Sequence, residues 1–428
     1  MTLISGGRLI DPRSGTDAIL DLAFDGSRIV RIGKIDPRGG VYERVIDAGG
    51  KAVVPGLVDP HVHFRDPGLT YKEDIMSGAA AAARGGFTSV VCMANTRPPV
   101  DNAETLAEVL AKAAQASIHV YTVAAVSRGM AGRELVDMGA LKKLGALGFS
   151  DDGVPILDPA FLRKALRAAR ELDLPVCLHE EEPRLIGVSG INEGKVSAAW
   201  GICGAPGVSE SALAARDCML ALESGARVHL QHLSCAESLE ILRLAQRLGG
   251  GAARLTAEVT PQHFSLTEDA VLDRGTLAKV NPPLRTEQDR QALIAALQDG
   301  TIDMIATDHA PHSAAEKARP FAEAPSGVTA LETALALGIA NLVLPGYLGL
   351  GELIGKMTAA PAALYGLEAG FLAEGGPADI AIIDENKTWT VGEFASKSSN
   401  SPFIGQTLTG RVTYTISAGK IVYQDGEE

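Results

Sequence analysis

Two histidines one residue apart, His61 and His63, follow the apolar run Ala52-Val53-Val54-Pro55-Gly56-Leu57-Val58. A run of this kind makes a buried strand, on which side chains at i and i+2 point the same way. Both imidazoles can then reach one cation from the end of that strand. Alone, such a pair is more often incidental than ligating, so the rest of the chain decides. Asn95 follows the apolar run 88–93, and Ser150-Asp151-Asp152-Gly153 follows the run beginning at Ala146. His179 follows 174–178, His232 follows 227–231, and Asp308 follows 302–307 with His309 and His312 close behind. A strand-end His can bond a carbonyl and a strand-end Asp can cap a helix. Four histidines and two carboxylates from five run ends are better explained by a metal site. Imidazole and carboxylate without thiolate suit Zn²⁺. Six ligands exceed the needs of one tetrahedral ion, so two ions sharing a carboxylate are favoured over one. His119 and His229 lie inside apolar runs and His263 follows Thr260-Pro261-Gln262; these three stay outside the candidate set.

The elements that must position these residues alternate. Strand-like runs at 52–58, 88–93, 118–126, 146–150, 174–178, 227–231, 254–259 and 302–307 are separated mostly by segments of helical period. These include 72–84, 102–116, 159–172, 209–224, 235–248, 287–299 and 329–343. The pattern predicts an α/β fold, a (β/α)8 TIM-like barrel over 52–365, whose chemistry gathers at the C-terminal strand ends. Residues 1–51 read as short strands broken at Gly6-Gly7, Asp25-Gly26, Gly39-Gly40 and Gly49-Gly50, and a similar texture returns over 366–428. Neither end can bury a core alone. One small β-sandwich-like domain built from both termini is the economical solution.

Composition narrows the function. Hydrophobic residues make up 46% of the 428, aromatics only 4%, so core volume comes from Ala, Val, Leu and Ile, as helices packed on a parallel sheet require. A net charge of −13 argues against general attraction to nucleic acid or anionic membrane. Cys92, Cys177, Cys203, Cys218 and Cys235 are scattered and odd in number, which indicates neither a disulfide framework nor a thiolate zinc site. The start Met1-Thr2-Leu3-Ile4-Ser5-Gly6-Gly7-Arg8 lacks a signal-peptide pattern, and no uncharged apolar stretch is long enough to span a bilayer. The expectation is a soluble, cytoplasmic protein.

With these residues in place, the chain resembles the dihydroorotases of the amidohydrolase superfamily, class I bacterial type. The resemblance rests on His61-Val62-His63-Phe64-Arg65-Asp66-Pro67-Gly68 with Tyr71-Lys72-Glu73, and on Ala306-Thr307-Asp308-His309-Ala310-Pro311-His312. Met93-Ala94-Asn95-Thr96, Asp151-Asp152-Gly153 and Val280-Asn281-Pro282-Pro283-Leu284-Arg285 add to it. It implies reversible closure of N-carbamoyl-L-aspartate to L-dihydroorotate in pyrimidine synthesis. His61, His63 and Asp308 would bind the first metal, His179 and His232 the second. Many relatives bridge the two with a carboxylated lysine, but Lys142 and Lys143 precede the fourth strand, so Asp151 or Asp152 must serve; family spacing favours Asp152. Asp308 would also move the proton. Arg65, Asn95 and His312, with His63, would meet the substrate carboxylate side, and Asn281 with the Ser326-Gly327 backbone the ring. The family commonly carries a bulky apolar residue at Ser326 and a Gly at Ala330. Ser313-Ala314-Ala315-Glu316-Lys317 reads as a plain segment and a candidate lid. A homodimer is expected, and association with an aspartate transcarbamoylase is left open. The competing readings are a hydantoinase or allantoinase, and an inactive dihydroorotase-like partner of the transcarbamoylase.

Overall fold

The computed structural model describes residues 1–36, 42–250 and 254–426. The expected turn at Gly39-Gly40 lies outside them. Parallel strands in the middle of the chain form two arcs of a barrel-like arrangement. Leu57–Val62, Phe87–Cys92 and His119–Thr122 make one; Val176–Leu178, Val228–Leu230, Leu255–Val259 and Met304–Ile305 make the other. Single parallel bridges connect them: Ala124 to Phe149, Phe149 to Val176, and Val62 to His309.

Two expected strands differ. The run 52–58 is divided at Gly56: Ala52–Pro55 pairs with Thr2–Asp11 and Ile380–Thr390, whereas Leu57–Val62 pairs with Phe87–Cys92. A Cβ at Gly56 would collide with the Thr88 side chain, so the chain passes between the two sheets only as glycine. The run 146–150 forms no regular strand: Phe149 makes isolated bridges to Ala124 and Val176, and Leu147, Gly148 and Ser150 add single backbone bonds to Thr122 and Ala124. Beyond it the Ser150 side chain, not a strand partner, accepts from the Asp152 N–H.

The helices start where side chains can satisfy their first N–H groups. Asp74 caps Ile75–Arg84, Asn102 caps Ala103–Ala113, Asp158 caps Pro159–Glu171, and Thr286 caps Glu287–Asp299. Their apolar faces pack on the strands in one continuous core that includes Val90, Phe149, Leu166, Leu230, Leu239, Val259 and Ile305. The expected helix over 329–343 is shorter: only Ala334–Gly338 is α-helical, followed by a π-type turn over Ile339–Val343.

Strands from both termini hydrogen-bond as one eight-stranded sheet, not as two separate sheets. Thr2–Asp11 pairs with Thr16–Asp25, and Ile380–Thr390 with Thr407–Ser417. Ala52–Pro55 joins the two pairs, which is why both ends fold together. Ile4, Leu22, Ile29, Ile380, Ile382 and Ile416 share its buried side.

Candidate active site

The C-terminal strand ends carry their polar residues on unusual backbone. Arg65, His232 and Asp308 have φ of 59°, 35° and 47°, three of the six positive-φ non-glycine residues among those described. Such conformations persist only where surroundings impose them, and they concentrate at functional sites.

Three of the four histidines of the candidate set are turned by a specific partner; His232 Nδ1 is buried without one among the described residues. His61 Nδ1 is 2.7 Å from Glu258 Oε1, and His63 Nδ1 is 2.9 Å from Asn95 Oδ1. His179 Nε2 lies 2.9 Å from Glu181 Oε2. Each of these oxygens can only accept, so a proton sits on the bonded nitrogen and the other nitrogen is the one that can exchange a proton for a cation. Those second nitrogens of His61, His63 and His179, with Nε2 of His232, look into one hollow. There His61 Nε2 and His63 Nε2 are 3.3 Å apart, and His179 Nδ1 and His232 Nε2 are 3.0 Å apart.

Asp152 stands between the two pairs. Its Oδ2 is 3.6 Å from His61 Nε2 and 3.4 Å from His63 Nε2; its Oδ1 is 3.6 Å from His179 Nδ1 and 3.5 Å from His232 Nε2. Asp308 Oδ1 closes the first pair at 2.9 Å from His63 Nε2 and 3.5 Å from His61 Nε2. Asp151 is directed elsewhere: its carboxylate accepts from the N–H groups of Val126 and Ser127 and from the Ser127 hydroxyl.

These spacings suit cations. Ligand atoms about 2.0–2.1 Å from a tetrahedral ion stand about 3.3–3.4 Å from one another. Asp152 Oδ1 is buried with no hydrogen-bond partner among the described residues, which a cation on that side would resolve. The electrostatics agree. Burial opposes charge on Asp152, yet His61, His179 and His232 hold its carboxyl well below the usual range. Burial likewise disfavours a charged His61, but Glu258 and Asp152 outweigh it and raise its pKa well above normal. The carboxylates that favour a proton on His61 would favour a cation held among these nitrogens in the same way.

A second group of residues adjoins the first. Arg65 Nη2 approaches His312 Nε2 at 3.3 Å, and Arg65 Nε donates to the Pro311 carbonyl. Lys72 Nζ donates to His312 Nδ1 at 3.1 Å, so the His312 proton is on Nε2, which donates to the Ser326 carbonyl at 2.9 Å. Burial and the charges of Arg65, Lys72 and Lys317 push His312 down to about 2, leaving it neutral. Ser326 Oγ in turn donates to Asn281 Oδ1 at 2.9 Å. An open cleft of about 450 Å³ lined by Asn95, Arg97, Asp152 and Gly153 opens onto the Asp152 side of the histidine cluster.

Three features were not foreseen. Glu258, inside the strand Leu255–Val259, accepts from both His61 and His229 and fixes the His61 ring. A carboxylate inside an apolar run was the signal, since it must be paired to be buried there. Asn95, expected against substrate, also bonds His63 and reaches Asp152 Oδ2 at 3.4 Å. The expected lid is a short capped helix, Ala314–Lys317, tied down at several points. Glu316 accepts from Lys72 and Tyr71, and Lys317 donates to the carbonyls of Pro325 and Gly327. It buttresses the loop that carries Ser326 and Gly327. Ala330 is buried with Ile191, Val280 and Val328, its methyl filling that cluster.

Comparison with known proteins follows the same lines. The Amidohydrolase family profile matches residues 52–422. A dihydroorotase of Clostridioides difficile (strain 630) is 53% identical over 423 residues, covering 99% of this chain and 100% of the relative. A dihydroorotase of Clostridium acetobutylicum is 52% identical over 427 residues, with 99% and 100% covered. Among solved structures, L-hydantoinase (dihydropyrimidinase) from Arthrobacter aurescens superposes with a TM-score of 0.87 at 25% identity, over 100% of this chain and 96% of that one. D-Hydantoinase from Thermus sp. gives 0.85 at 25% identity, over 100% and 96%. These likenesses show a TIM-barrel-like fold with a β domain, and the chain belongs to the amidohydrolase family and, within it, to the dihydroorotases.

Proposed function

We propose that the chain is a metal-dependent dihydroorotase that interconverts N-carbamoyl-L-aspartate and L-dihydroorotate. Its sequence identity to two full-length dihydroorotases supports the substrate. The observation that carries the reaction type is the Asp152 carboxylate, one oxygen toward each histidine pair. His61, His63 and Asp308 would hold one Zn²⁺, His179 and His232 the other, with Asp152 shared. When bound, the ions supply Lewis acidity toward a carbonyl oxygen and lower the pKa of a water molecule.

The chain's own residues account for the rest. In the hydrolytic direction Asp308 takes the proton of the attacking water and returns it to the departing ring nitrogen; in ring closure the order reverses. Its position against His63, with burial opposed by the histidines' charges, holds its carboxyl below the usual range and so ionised. Arg65 offers the forked donor that a carboxylate-bearing substrate needs, and neutral His312 keeps that charge unneutralised by the protein. Asn281 and the Ser326-Gly327 segment meet the ring. The barrel-like part over 52–365 carries this face, apart from Ala52–Pro55, which joins 1–51 and 366–428 in the second domain.

The fold likeness to hydantoinases favours one alternative, a cyclic amidase without a carboxylate requirement. Purified protein loaded with zinc should hydrolyse dihydroorotate and leave hydantoin and dihydrouracil almost untouched. The reverse preference would make it a hydantoinase-type enzyme. Metal-loaded protein without turnover in either direction would make it a non-catalytic partner.

A further inference from the structure

Asn281 is held by two serines from different loops. Ser189 Oγ donates to Asn281 Oδ1 at 2.8 Å, and Ser326 Oγ donates to the same atom at 2.9 Å. Two donors fill both lone pairs of that amide oxygen. The amide Nδ2 is left without a protein acceptor among the described residues, so its two hydrogens are what the side chain can offer a ligand. The three loops that supply this cluster are also in direct contact. Gly190, at φ 78°, could not carry a side chain, because a Cβ there would lie 2.8 Å from Ser326 Oγ and as close to Lys279. Lys279 in turn accepts the Gly327 N–H at its own carbonyl and ties down the carbonyls of Phe321 and Ala324 with its ammonium.

Ser326 faces both ways. Its hydroxyl holds Asn281, and its carbonyl accepts from His312 Nε2, the imidazole beside Arg65. One residue therefore connects the ring side of the pocket to its carboxylate side.

We propose that Ser189 and Ser326 are positioning residues that lock the Asn281 amide with Nδ2 toward the substrate, so that Asn281 acts only as a donor to a carbonyl oxygen of the cyclic ureide. The inference rests on the dihydroorotase reading. A bulky apolar side chain at 326 could not supply this bond, so the lock is a property of the serine. It selects ligands that present an acceptor at that point and disfavours those that present an N–H, which would meet hydrogens with no lone pair available.

Steady-state kinetics of dihydroorotate hydrolysis by the zinc-loaded enzyme test it as a double-mutant cycle. Ser326→Ala should raise KM about 5-fold with kcat nearly unchanged, the loss of one orienting hydrogen bond. Ser189→Ala should act in the same direction, and Ser189→Thr, which keeps the hydroxyl, should restore KM. In an Asn281→Ala background, Ser326→Ala should change KM by less than about 1.5-fold, within ordinary additivity error. An equal KM factor in both backgrounds would overturn the inference, because the serine would then act without the amide. So would an unchanged KM for Ser326→Ala in the otherwise native enzyme. Wild-type turnover separates the two claims. Its absence overturns the functional reading and this inference with it; turnover with equal factors overturns the inference alone.

Discussion

The two halves of the candidate site are built differently. The proposed cation half has His61, His63, His179, His232 and Asp308 at strand ends, with Asp152 just beyond Phe149, which bridges to Ala124 and Val176. Every side chain in it is buried, and three of its four rings are turned by Glu258, Asn95 and Glu181. The substrate half uses Arg65, His312, Asn281 and Ser326, all on loops. No strand holds them; a relay from Glu316 through Lys72, His312 and Ser326 to Asn281 does so instead. The difference follows from what each half must do. Metal ligands need fixed spacing to a few tenths of an ångström, which the barrel rim provides. Substrate discrimination needs donors aimed at particular atoms, and loops can change without disturbing the rim.

Substitutions can break this division. Asp308→Ala, in the cation half, should lower kcat by about a hundredfold to ten-thousandfold, the range of general acid–base help, while leaving most metal bound. Retained turnover would remove it as the proton carrier. Asp152→Ala should lose metal from both positions and turnover with it, measured by elemental analysis, whereas Asp151→Ala should keep its metal. The opposite order would exchange the two aspartates. In the substrate half, Arg65→Lys should raise KM by about tenfold or more with metal content unchanged, since a point charge replaces a fork. Equal constants would argue against a carboxylate clamp.

The smallest effect concerns the buttress. Burial moves Lys317 from 10.5 down to about 7. Between those values the unfolded chain binds more protons at this residue than the folded one, so stability contributed by this site rises with pH across the window. Wild type should therefore gain stability relative to Lys317→Met as pH rises from about 7 toward 10.5, read by denaturant melts. A constant difference would mean that the ammonium is not desolvated.

How much the sequence disclosed follows the same division. His61, His63, His179, His232 and Asp308 were legible because each ends an apolar run, and a chemically active residue at a strand end stands out against it. That both ends fold together was legible from their matching texture, but their joining in one eight-stranded sheet, where a sandwich-like domain was expected, was not. Glu258 was hidden because it sits inside a strand, where only its pairing with His61 and His229 explains a buried carboxylate. The split at Gly56 was hidden because one apolar run serves two sheets. Ser189 was hidden because nothing local marks it; its meaning comes from Asn281, which lies far along the chain. Between Asp151 and Asp152 the residue types are identical, and only the direction of each carboxylate separates them.

The central claim is a two-cation site for dihydroorotate. Adding zinc stepwise to the metal-free chain while following dihydroorotate hydrolysis tests it most directly. Turnover should rise until two equivalents are bound per chain and then stop rising. Full turnover at one equivalent, or none at any loading, would contradict it.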